Sequence, residues 1–77
     1  MSNPPSGASA TARPFHLFDD WGHVQSFPCT PPELRDALLD AFIFGFPEYH
    51  RLSLAQQAGE HPDAEAVSGD WRLRREG

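Results

Sequence analysis

Large apolar residues in this chain come in four clusters, and the spacing inside each cluster differs. The first lies in "RPFHLFDDWGHVQSFP", Arg13 to Pro28. Phe15 and Leu17 share one face of an extended chain, while Phe18 points away. Val24 and Phe27 resume the apolar positions after "DDWG", whose early aspartates and late glycine are turn residues. Pro14 and Pro28 bracket the unit, as prolines do at strand ends. The pattern predicts a β-hairpin.

The second cluster, "TPPELRDALLDAFIFGF" (Thr30 to Phe46), has a helical period and a well-marked start. Thr30 is a good N-cap, Pro31 falls where a missing N–H costs nothing, and Glu33 completes a T-x-x-E capping box. Glu33 and Asp36 put negative charge at the positive end of the helix dipole. Gly45 is the expected stop, and Pro47 blocks continuation. The helix is predicted from Pro31 to Phe44. At 100° per residue, Leu34, Ala37, Leu38, Ala41 and Phe42 form the core face. Leu39, Ile43 and Phe46 form a second stripe, and Phe44 lies on the other flank. The last turn is therefore apolar nearly all round, which is more than one small sheet can cover.

Beyond Pro47, His50, Leu52 and Leu54 alternate with Tyr49, Arg51 and Ser53, which favours a strand over the competing helix for Tyr49 to Leu54. Trp71 and Leu73 alternate with Arg72 and Arg74 in a last strand, expected at a sheet edge with arginine guarding it. The stretch Gly59 to Gly69 is poor in large apolar groups. So are residues 1–13, which read as a flexible tail ahead of a single domain spanning 14–77. The sum is a small α+β domain: an antiparallel sheet in β-β-α-β-β order with one amphipathic helix packed on one face.

Composition narrows what such a domain does. The chain has 77 residues, net charge −5 and no lysine. Between Asp19 and Asp70 ten acids face two arginines, while Arg72, Arg74 and Arg75 gather near the end. An acidic body argues against direct nucleic-acid binding and suits a basic protein surface, including one that normally holds nucleic acid. Cys29 is the single cysteine, so no disulfide closes within the chain. No secretory signal or membrane-length apolar run is visible, and a soluble, cytoplasmic protein is expected.

Catalytic and metal motifs are absent. His16, His23, Cys29, His50 and His61 fit no zinc spacing. Cys29 precedes a helix N-terminus, where a thiolate is stabilised, but no flanking motif makes it a nucleophile. Asp19 and Asp20 are explained by the turn they occupy. No cofactor, metal or catalytic residue is assigned, and no enzyme activity is expected.

The surplus aromatics are the candidate site. Trp21 sits at the hairpin tip, where packing rarely requires tryptophan, unless it folds back as a lid over the core. With Phe18, Phe44, Phe46 and Tyr49 it makes an aromatic patch, of which Trp21, Phe44, Phe46 and Tyr49 are the expected contacts, rimmed by Asp19, Asp20, Asp36 and Asp40. Protein interfaces favour that composition. The expectation is a non-enzymatic protein that docks on a larger protein and inhibits or modulates it. Phage-encoded inhibitors of host nucleic-acid-handling machinery, such as anti-CRISPR proteins, share this size and charge. The alternative is an accessory subunit or a homodimer that buries the surplus helix face.

Overall fold

A computed structural model of the protein describes residues 13–76. The tail expected over residues 1–13 lies, but for its last residue, outside them. The hairpin forms where the pattern placed it: β1 is Phe15–Asp19 and β2 is Gly22–Phe27, paired antiparallel. Asp19 accepts the Trp21 N–H at 2.7 Å, and Gly22 takes a φ of +122° that a side chain would oppose. One β-bulge interrupts the register: Leu17 faces Gln25, but Phe18 faces His23, leaving Val24 as the extra residue. Val24 turns toward the core.

Pro31–Glu33 form a single 3-10 turn that leads into α1, Leu34–Asp40. Glu33 accepts the Thr30 N–H at 2.9 Å, so the expected capping box closes. The helix ends four residues before its predicted limit of Phe44, because Arg51 collects its terminal carbonyls. The guanidinium donates to Leu38 O at 2.5 Å, Ala41 O at 2.7 Å and Leu39 O at 3.3 Å. It also donates to Phe46 O at 2.8 Å and Ile43 O at 3.3 Å in the loop that follows. Gly45, the expected stop, has a φ of +75° and turns this loop.

The predicted strand from Tyr49 to Leu54 is instead the first half of a second helix, α2, Glu48–Glu60. Pro47, expected to stop a helix, instead stands at the N-cap of this one, in an extended conformation. Leu54, Ala55 and Ala58 are buried, a helical spacing that continues past the short alternating stretch. The third strand, β3, lies in the Ala66–Ser68 segment, where Ala66 and Ser68 point in and Val67 points out. β4, Trp71–Arg75, follows the Gly69-Asp70 turn, in which Gly69 has a φ of +62°.

The sheet order is β2-β1-β4-β3, antiparallel throughout. The α+β class and the four-stranded antiparallel sheet are therefore as expected, with two helices in place of one. β4 is an interior strand and β3 the edge, which corrects the predicted edge position of the last strand. Gln57 closes that edge: its amide donates to Val67 O at 2.8 Å and accepts Val67 N–H at 3.1 Å. α1 and α2 cover one face of the sheet over Phe15, Leu17, Phe27, Leu73 and Ala66. The other face carries His16, Phe18, Arg72 and Arg74, and among the described residues no helix packs on it.

Candidate functional site

Three turns converge at one end of the domain. The β1–β2 tip brings Asp19, Asp20 and Trp21; the β3–β4 turn brings Asp70; the α1–α2 loop brings Gly45. With Trp71 they line a shallow depression of about 210 Å3. Its three carboxylates come from turns because aspartate stabilises turns locally, and the fold gathers them.

The aromatics divide sharply. Trp21 is 95% exposed, Phe42 103%, Phe44 102% and Tyr49 75%. Trp21 is thus not a lid over the core. Trp71 has that role, with its ring 4.3 Å from the ring of Phe46. Phe46 itself is 4% exposed and lies in the core, with the Arg51 guanidinium 4.8 Å from its ring. Phe46 is therefore no candidate for an exposed contact. Phe42, assigned by helical spacing to the core face, takes its place on the surface. The exchange has one cause: with α1 ending at Asp40, positions 41–46 no longer follow a 100° period.

Arg51 makes this exposure a built feature. It holds the carbonyls on both sides of Phe42 and Phe44, so the loop is pinned while both rings project into solvent. Nothing in the local sequence marks Arg51 for this role, since its acceptors lie upstream across the α1–α2 contact. Asp19 and Asp20 join Trp21 at the depression, as expected. Asp36 and Asp40 are exposed on α1 and do not line it. Asp70 was not singled out by the sequence; its place in a two-residue turn was the available signal.

The chemistry of the other candidates is plain. The Cys29 thiol is pushed up in pKa by burial and by the Glu33 carboxylate, with Arg75 opposing. That favours the protonated thiol and works against a nucleophilic role. Glu33 is pulled below its ordinary range by the Thr30 backbone hydrogen bond and then by the Thr30 side chain. Among the described residues, no three His, Cys, Asp or Glu side chains are placed to hold a metal ion, and no helix is long and apolar enough to cross a membrane. No family model, curated protein or solved structure matches the chain.

Proposed function

We propose that this is a small binding protein that docks the Trp21, Phe42, Phe44 and Tyr49 rings on a larger protein and inhibits or modulates it. The observation that carries the reading is the pinned loop with two fully exposed phenylalanines. Leaving a Phe side chain in water forgoes about 1.5–3 kcal/mol of burial. A domain this small gains nothing from ordering such a loop unless something else covers it. Asp19, Asp20 and Asp70 beside Trp21 suit a partner surface that is basic around an apolar centre. A nucleic-acid-handling protein has such a surface, and a phage-encoded inhibitor of the anti-CRISPR kind would occupy it. The protein would act in the cytoplasm, without catalysis at this end of the domain.

The test is affinity capture of the partner from the native host by the wild type and by a Phe42→Ser/Phe44→Ser double variant. The variant is expected to keep its fold, because neither ring is buried. Its affinity for the captured partner should fall at least about 30-fold, the effect of an interface anchor worth ~2 kcal/mol. Binding should weaken with added salt and compete with nucleic acid. Unchanged capture by the double variant sinks the proposal. If instead the wild type sediments as a dimer that the variant cannot form, the rings serve self-association and no host target is needed.

A further inference from the structure

The sheet face opposite the two helices carries a chain of hydrogen bonds that the docking reading does not use. His16 Nε2 stands 2.9 Å from Glu76 Oε1, and His16 Nδ1 stands 2.7 Å from Ser26 Oγ. His23 Nε2 lies 2.9 Å from the same hydroxyl. With both imidazoles neutral, one proton arrangement satisfies all three contacts. Ionised Glu76 only accepts, so His16 donates from Nε2. Its Nδ1 is then a lone pair that takes the Ser26 O–H, and His23 donates to Ser26 Oγ. A hydroxyl whose proton is held by an imidazole, itself oriented by a carboxylate, is the arrangement that activates a serine.

The cluster is drawn from two strands and the residue that follows β4. Ser26 and His16 are register partners across β2 and β1. His23 and Ser26 are three residues apart and would face opposite ways in a regular strand. The bulge at Val24 turns both to the same side. Bulges commonly re-aim side chains beside reactive sites. Phe18 packs edge-on against His23, with ring centroids 5.5 Å apart, and its ring lies 6.5 Å from that of His16. Arg74 covers Phe18, its guanidinium carbon 4.6 Å from the ring centroid. Glu76 is held in place by its own N–H, which donates to Pro14 O at 2.8 Å.

We propose that Ser26 is an acyl-accepting nucleophile, with His16 as its base and Glu76 as the group that orients His16. The donor class is a small, unhindered acyl thioester or aryl ester, since among the described residues the cluster lies on the sheet face opposite the helices. Ser26 Oγ attacks the carbonyl carbon as its proton passes to His16 Nδ1. The bond to the leaving group breaks, and the thiolate or phenolate departs with that proton. The products are O-acyl Ser26 and the free thiol or phenol, with neutral His16 restored. One acyl group is transferred per chain, on a face distinct from the aromatic end, so the inference stands or falls separately from the docking proposal.

The experiment treats the full chain with p-nitrophenyl acetate and maps the stable adduct by peptide mass spectrometry. One acetyl group is expected, on Ser26, absent from Ser26→Ala. His16→Gln should slow its formation on the order of 100-fold, the lower end of general-base contributions. Circular dichroism checks that each variant is folded. Ser53, whose hydroxyl faces Gln57 at 3.2 Å, is a reference inside the same wild-type molecule that needs no variant to fold. Glu76→Gln keeps an acceptor oxygen and should also slow acylation while leaving the fold intact. Acetylation of Ser26 no faster than of Ser53 overturns the proposal. So does an unchanged rate in folded His16→Gln, or a stable adduct confined to the histidines.

Discussion

Replacing Arg51 with methionine should cost this domain a large part of its stability. Methionine keeps an apolar stem against Phe46 but removes all five guanidinium hydrogen bonds and the contact with the Phe46 ring. A hydrogen bond from a charged group contributes about 1.5–3 kcal/mol when fully effective. Two of the five are long, at 3.3 Å. Bonds that share one donor group are not additive, and water can reach some carbonyls once the side chain is gone. The cation–π contact adds about 0.5–1 kcal/mol, and the charge at the α1 C-terminus about as much. We expect a net loss of roughly 2–4 kcal/mol. A domain with about 60 ordered residues has only about 3–9 kcal/mol to lose. At about 4–8 °C per kcal/mol, Tm should fall by roughly 8–32 °C. Urea denaturation followed by circular dichroism measures the loss, and amide exchange should show residues 41–46 opening first. Arg51→Lys should recover less than half of it, because an ammonium has three donors and no planar fork. A loss below about 1 kcal/mol, or full recovery by lysine, would refute the reasoning that this guanidinium holds the loop.

Other outcomes follow from the same geometry. Phe46→Ala should destabilise by about 3–5 kcal/mol, whereas Phe44→Ala should stay within about 0.5 kcal/mol of wild type, as chemical denaturation of the pair will show. Equal effects would mean that the loop does not sort the two rings as described. Glu33 has a folded pKa below its unfolded one, so its contribution is present above the unfolded value and is lost as pH falls through the folded value. The stability gap between wild type and Glu33→Gln should therefore close on acidification, and a gap that persists at low pH would contradict the capping assignment.

What could be read along the chain was what neighbouring residues decide among themselves. The hairpin needed only Phe15 and Leu17 on one side, Asp19 at the turn and Gly22 to follow it. The helix start needed only Thr30, Pro31 and Glu33, which meet within one turn. Whether Trp21 projects from the hairpin tip or folds back as a lid was left open by the sequence, since either depends on what the tip packs against; the structure leaves it exposed. β3 was illegible because three residues, one of them outward-facing, carry no period. The bulge at Val24 left no sequence mark either, so the convergence of His16, His23 and Ser26 could not be anticipated.

The choice between strand and helix for Tyr49 to Leu54 turned on burial of Leu54, Ala55 and Ala58 against the sheet, which outweighed a brief alternation. The helix that Thr30 starts was continued in expectation to Phe44 because residues 41–44 are apolar and helix-compatible. It stops at Asp40 because the arginine of a different helix offers its last carbonyls a better partner than the next turn would. From that single long-range contact follow the exposure of Phe42 and Phe44 and the burial of Phe46. By itself, then, the sequence determined the α+β class, the hairpin and the point where the first helix begins. Only the tertiary structure decided where that helix ends and which aromatics face outward. Hydrogen bonds within a turn are specified by adjacent residues, whereas a guanidinium's choice of carbonyls exists only after two helices have packed.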